Sequence, residues 1–246
     1  MRAIASYREY IGSKHYGCPE FVKGTNHIHV EGLFHPMLDH PVKADFDEAR
    51  SVLITGSNAS GKSTFLKAVA LNAVLSQTIC TSMAKSYQAP RFKIFSSMAL
   101  SDNIFENESY FIVEIKSLKR ILDTVEEEIP TLCFVDEVLR GTNTLERIAA
   151  SSQILLDLSN QNVICFSATH DIELTHILEN HFSNYHFTED VIDNEVVFEY
   201  KLKNGRATSR NAIKLLSMLG YPSKIVDDAN QSTKDYMDSG QWKIFE

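Results

Sequence analysis

Ser51-Val52-Leu53-Ile54-Thr55-Gly56-Ser57-Asn58-Ala59-Ser60-Gly61-Lys62-Ser63-Thr64 decides how the rest of the chain is read. Its first five residues form a short apolar, β-branched run bounded by charge on one side and glycine on the other, which suits a buried parallel strand. Thr64 to Gln77 then places Phe65, Leu66, Val69, Ala73 and Val74 at helical spacing. Between strand and helix, Gly56 to Ser63 fits G-x-x-x-x-G-K-[ST] at every fixed position. Glycines let backbone N–H groups turn inward around phosphate oxygens, and the following helix offers its positive end to the same anion. In such a loop Lys62 reaches the β/γ-phosphates and the Ser63 hydroxyl ligates Mg²⁺.

Two further apolar runs, Thr131 to Val135 and Asn162 to Phe166, read as strands, and Leu145 to Leu158 between them has helical periodicity. Strands alternating with helices predict an α/β fold with a mostly parallel sheet covered on both faces. Glu195 to Leu202 partly alternates, as an edge or antiparallel strand does, and Ile213 to Leu219 reads as a last amphipathic helix ended by Gly220 and Pro222. Residues 1 to about 34 are broken by Gly12, Gly17, Pro19, Gly24 and Gly32, which predicts an irregular lead-in with one short helix near Ile4 to Ile11.

The strand Thr131 to Val135 runs into Asp136-Glu137. At the carboxyl end of a parallel strand beside the glycine loop, Asp136 can hold Mg²⁺, directly or through water. Glu137, one residue on, can polarise an attacking water as general base. Ser167-Ala168-Thr169-His170-Asp171 leaves the next strand in the same way, placing His170 to contact the γ-phosphate or that water. His176, His181 and His186 read as surface residues, since no carboxylate or thiol set completes a metal site with them.

Composition narrows the class. With 43% hydrophobic and 23% charged residues in 246, the chain is too apolar to be disordered and long enough for a substantial core. The net charge of −8 argues against a protein that grips nucleic acid by overall charge, so little autonomous DNA binding is expected. No stretch approaches the ~18 consecutive apolar residues of a membrane span. The N-terminus lacks the pattern of a signal peptide, which gives a cytoplasmic expectation. Cys18, Cys80, Cys133 and Cys165 form no C-x-x-C pair, and the last two fall in apolar runs as core residues.

The order of these parts resembles the ATP-binding cassette class of P-loop NTPases, and within it the MutS family of mismatch-repair ATPases. That family's phosphate loop has the form G-P-N-M-G-G-K-S-T, and Gly56 to Thr64 keeps Asn58 and the Gly-Lys-Ser-Thr end. Its acidic pair is followed by G-R-G-T, and here Arg140-Gly141-Thr142 follows Leu139. A-T-H-x-x-E-L is present as Ala168 to Leu174, and Ser109-Tyr110-Phe111-Ile112-Val113-Glu114-Ile115 is similar to S-T-F-x-x-E-M. The departures at Ser57, Ala59, Leu139 and Asn211-Ala212 place the chain in a divergent MutS-related branch.

The resemblance implies an ATP-hydrolysing domain with ATP and Mg²⁺ as cofactors. ATP is bound by Gly56, Ser57, Asn58, Ala59, Ser60, Gly61, Lys62, Ser63 and Thr64, Mg²⁺ by Ser63 and Asp136, and Glu137 and His170 act in catalysis. It also implies a homodimer, or a pair with a MutS-like subunit, joined head to tail around ATP, with Ser109 completing the partner's nucleotide site. Tyr200 is placed against adenine by the family pattern, and a core or edge-strand role fits it equally. Residues 35–230 would form the ATPase domain, 1–34 the remnant of an upstream region, and 231–246 a tail. DNA would be met through mismatch-binding, connector, lever and clamp regions absent here, leaving open a fragment, an expressed domain or a stand-alone relative. Two other readings are a nucleotide-switched interaction module with little turnover and another cassette ATPase, the latter disfavoured by the absence of L-S-G-G-Q.

Overall fold

The computed structural model describes residues 16–98, 110–192, 195–207 and 212–244. The chain divides into two compact units, one of residues Met1–Phe187 with Tyr200–Ala207, the other of Thr188–Glu199 with Thr208–Glu246. The helix expected near Ile4 to Ile11 lies outside the described residues.

The larger unit holds strands β1 (Glu20–Phe21), β2 (Ile28–Leu33), β3 (Ala44–Glu48), β4 (Ser51–Thr55), β5 (Ser86–Ala89), β6 (Lys93–Ser97), β7 (Thr131–Asp136), β8 (Val163–Ala168) and β9 (Phe182–His186). Its helices are α1 (Lys62–Ile79), α2 (Tyr110–Thr124), α3 (Thr144–Ser159) and α4 (Ile172–Ile177). In the smaller unit, β10 (Glu189–Ile192) and β11 (Glu195–Phe198) form an antiparallel hairpin. The two-residue strand β12 (Lys203–Asn204) returns to the larger unit, and α5 (Ala212–Met218) and α6 (Ser223–Ser239) complete the smaller one.

A six-stranded sheet ordered β12-β9-β4-β8-β7-β6 is parallel throughout except for the antiparallel edge strand β12. Alternation along its strands feeds two cores. Val52, Ile54, Phe134 and Phe166 point to one face, where Phe65, Leu66, Val69 and Ala73 of α1 cover them. Leu53, Cys133, Val135 and Cys165 point to the other, against Leu118 and Ile121 of α2, Leu155 and Leu158 of α3 and Leu174 of α4. Phe166 anchors the first core, with ring centroids 5.6 Å from Phe46, 5.9 Å from Phe134 and 6.3 Å from Phe65. Truncating such a ring costs about 3–5 kcal/mol.

A second sheet, ordered β1-β5-β2-β3, contributes Ile28, Val30 and Phe46 to the first core, where Phe46 meets both Phe65 of α1 and Phe166 of the main sheet. Asn72, the one polar interruption in the run Ala68 to Leu75, is fully buried. Its Oδ1 accepts from the Met83 N–H at 2.7 Å and from the Ser82 hydroxyl at 3.1 Å, tying α1 to the chain that leads into β5.

The structure departs from the sequence reading in three places. β2 forms inside the stretch read as irregular, because Ile28 and Val30 alternate inward while Gly32, at φ 67°, takes up a register shift before Leu33. The strand expected from Glu195 to Leu202 stops at Phe198, and Tyr200 at φ 53° breaks the extended backbone. Pro222 both follows the helix expected at Ile213 to Leu219 and caps the start of α6. Among the described residues no helix is long and apolar enough to cross a membrane.

Candidate functional site

The site grows from three adjacent strands. β4, β8 and β7 lie side by side in register, Ile54 opposite Ala168 and Ala168 opposite Asp136. Two bonds extend that ladder past the strand ends: the Thr169 N–H donates to the Ile54 carbonyl at 3.0 Å and the Glu137 N–H to the Ala168 carbonyl at 2.9 Å. The glycine loop, the Asp136-Glu137 pair and the His170 loop therefore leave the sheet at one edge, close to one another.

The loop needs its two glycines. Gly56 has φ 147°, and a Cβ there would lie 2.8 Å from both the Phe187 carbonyl oxygen and Ser60 Oγ. Gly61 has φ 111°, with the Tyr200 ring 3.3 Å from the place of a Cβ. The Phe65 N–H donates to the Gly61 carbonyl at 2.9 Å as α1 begins, and no side chain caps that end. No side chain therefore stands between the start of α1 and an anion, which the positive end of the helix favours. Lys62, nearly buried, curls back so that Nζ donates to the carbonyls of Gly56 at 2.9 Å and Ser57 at 2.8 Å.

Across the loop, His170 Nε2 lies 3.4 Å from Lys62 Nζ and 2.9 Å from Glu137 Oε1. The second Glu137 oxygen meets Arg140 Nε at 3.0 Å. Glu137 and Leu139 both adopt left-handed backbone, at φ 58° and 56°. For residues other than glycine each such angle costs about 1 kcal/mol or more, so the turn must be held from outside. The departure from glycine at Leu139 is therefore a departure at a position whose geometry favours glycine, and its side chain is retained in the second core.

The His170 loop has its own anchor. Asp171 accepts from Arg147 Nε at 2.8 Å and from a second guanidinium nitrogen at 2.6 Å, a two-pronged contact with both side chains mostly buried. That contact, reinforced by nearby carboxylates, raises the Arg147 guanidinium further above its already high range. Such forked pairs fix orientation as well as charge.

A cavity of about 500 Å³ opens beside the loop, lined by residues 58–65, Glu137, Phe187 and Tyr200 on one side and by Phe34, His35, Leu38 and Val42 on the other. Tyr200 is half-exposed on this wall and belongs to neither the core nor a paired strand. The donor set suits a hydrated divalent cation: Asp136 Oδ1 and Ser60 Oγ are buried with no hydrogen-bond partner among the described residues, and Ser63 lies in the cavity wall.

The structure thus brings together Gly56 to Thr64, Asp136, Glu137, His170 and Tyr200. Ser109 lies outside the described residues. His176 is exposed, and His186, opposite Thr55 in the sheet, has Nδ1 2.9 Å from the Gly205 carbonyl. Sequence reading gives no role to the wall of Phe34, Leu38 and Val42, to Arg147, or to Arg140 and Asp171, which stand inside matched motifs. Arg147 stands five residues beyond Thr142 in no motif, and the roles of all three residues come from their partners in space.

Comparison with known proteins points to one family. The family model described as MutS domain V matches residues 52–237. The chain is 31% identical over 241 residues to DNA mismatch repair protein MutS 2 of Halobacterium salinarum, covering 93% of this chain and 27% of that protein. It is 32% identical over 217 residues to DNA mismatch repair protein MutS of Natronomonas pharaonis, covering 86% and 25%. Over 273 residues it is 26% identical to DNA mismatch repair protein MutS of Oceanobacillus iheyensis, covering 100% and 31%. The chain therefore spans between a quarter and a third of the length of these relatives. By its domain V the chain belongs to the MutS family.

Proposed function

We propose that this chain is a P-loop ATPase domain of the ATP-binding cassette type that binds and hydrolyses MgATP, pairs head to tail around the nucleotide, and drives a DNA-associated cycle of mismatch-repair type. The observation that carries the reading is the convergence of Lys62, Glu137 and His170 within 3.4 Å contacts beside an uncapped helix start. Family membership sets aside the reading as an unrelated cassette ATPase.

In this account the amides of the glycine loop and the first turn of α1 hold the phosphates. Lys62 exchanges the Gly56 and Ser57 carbonyls for phosphate oxygens. Asp136 and Ser63 would hold Mg²⁺, which when bound draws off charge developing on the phosphate oxygens. Glu137 takes the proton of the attacking water, and His170, already in contact with Glu137, orients that carboxylate toward it. The cavity wall of Phe34, Leu38, Val42 and Tyr200 offers an apolar and aromatic seat for the base. Ser109 of one copy would complete the nucleotide site of the other, and DNA would be met through regions outside the matched domain. Four free cysteines, two of them exposed, suit the reducing cytoplasm.

Light scattering on Glu137→Gln tests the pairing: a shift from monomer to dimer only with MgATP supports it, and Ser109→Arg should abolish the shift. A protein that binds MgATP and stays monomeric contradicts it. One observation favours a slower, switch-like module instead: both Glu137 oxygens are engaged, by His170 and by Arg140. Multiple-turnover phosphate release at saturating MgATP separates hydrolase from switch.

A further inference from the structure

Glu114 is a buried carboxyl that the mechanism above does not use. It stands on the second turn of α2, only 2% exposed, beneath the turn that carries Glu137. Its Oε1 accepts the Leu139 N–H at 2.5 Å, the Arg140 N–H also favours its ionised form, and Oε2 has no hydrogen-bond partner among the described residues. Burial, with the nearby Glu137 charge adding to it, raises this carboxyl above the usual carboxylate range. A costly buried group kept beside a strained turn invites the question of what it holds.

The turn from Asp136 to Thr142 is pinned at three points. Above, the Glu137 N–H continues the β7–β8 ladder. From α3, the Ser151 hydroxyl donates to the Val138 carbonyl at 3.3 Å. From α2, Glu114 accepts the Leu139 N–H, and Phe111 packs 3.5 Å from the place of a Cβ on Gly141. Glu114 thus meets the backbone at Leu139, one of the two left-handed residues, while the Glu137 side chain leaves the turn toward His170.

We propose that Glu114 is a positioning residue for Glu137: by accepting the Leu139 N–H it holds the left-handed turn whose geometry aims the Glu137 carboxylate at His170 and the nucleotide loop. This rests on the reading of Glu137 as general base. Because Glu114 sits on α2, which begins at Tyr110, it also makes α2 and the Glu137 turn move as one piece.

The test compares wild type, Glu114→Ala, Glu114→Gln and Glu137→Gln for affinity toward a fluorescent ATP analogue with Mg²⁺, for single-turnover hydrolysis of bound ATP, and for amide exchange at Leu139 and Arg140. Glu114→Ala should bind within about threefold of wild type yet hydrolyse at least about tenfold more slowly, with both amides exchanging faster, as a displaced catalytic group requires. Glu114→Gln retains an acceptor for the Leu139 N–H and should hydrolyse within about threefold of wild type. If Glu114→Ala hydrolyses at the wild-type rate while Glu137→Gln does not, this inference fails and the reading of the site stands. Loss of affinity and rate together in both Glu114 variants would make the residue structural only and overturn it as well. If wild type and Glu137→Gln hydrolyse alike, the reading of Glu137 fails and takes this inference with it.

Discussion

His170 Nε2 rests 2.9 Å from Glu137 Oε1, joining two residues 33 positions apart that leave neighbouring strands of one parallel sheet. Neither side chain reaches the other by local structure. β7 and β8 pair in register, so their carboxyl ends must emerge together, and the contact follows from the ladder. The consequences run outward from that pair.

Lys62→Ala should abolish MgATP binding. Lys62 Nζ donates to the Gly56 and Ser57 carbonyls within the loop, and its removal leaves no side-chain cation inside the loop to meet the phosphates. Calorimetric titration with MgATP checks this, and binding as tight as wild type would contradict it.

Gly56→Ala should destabilise the chain by about 1–3 kcal/mol, since φ 147° is strained for alanine and its Cβ would meet a backbone carbonyl oxygen at 2.8 Å. Gly205→Ala, with nothing within 4 Å of the added Cβ at φ 91°, carries the angle strain alone and should cost less. Denaturant midpoints of the two variants measure the difference.

Arg147→Ala should slow hydrolysis about tenfold while leaving nucleotide affinity little changed. The forked contact with Asp171 holds the residue that follows His170, and a loosened His170 loses its alignment with Glu137. The exchange variant with Asp at 147 and Arg at 171 should recover part of the rate, which steady-state kinetics reads directly.

Stability should depend on pH through Glu114. Its folded carboxyl is raised above the unfolded value of about 4.3, so the folded state holds the proton more tightly. The contribution is fully present below the unfolded value and is lost as pH rises through the folded one. Glu114→Gln does not titrate, so its stability relative to wild type should increase as pH climbs from about 4 toward 8. Urea midpoints across that range test the sign, and a shrinking difference would contradict it.

The main sheet was legible because its strands are buried on both faces and so read as continuous apolar runs, as in Val52 to Ile54 and Leu132 to Val135. Motif spacing singles out Lys62, Asp136, Glu137 and His170. The second sheet was less visible: in β2 the inward Ile28 and Val30 are interleaved with His29 and Glu31 and followed by Gly32, so glycine punctuation masked a short alternation. α6 is mostly polar, with Ile225, Val226, Tyr236 and Met237 its large apolar residues and none of its described residues buried, and Pro222 reads equally as stop or start. Glu114, Arg147 and Asp171 act through partners 24 or 25 positions away, a distance at which periodicity carries no signal.

The central claim is that Glu137 is the general base of an ATP-hydrolysing site. Phosphate release from saturating MgATP, measured on wild type and Glu137→Gln with nucleotide affinity determined in parallel, tests it most directly. The account predicts retained affinity and a rate lower by about 10²–10⁴ in the variant. Equal rates in the two proteins would contradict it.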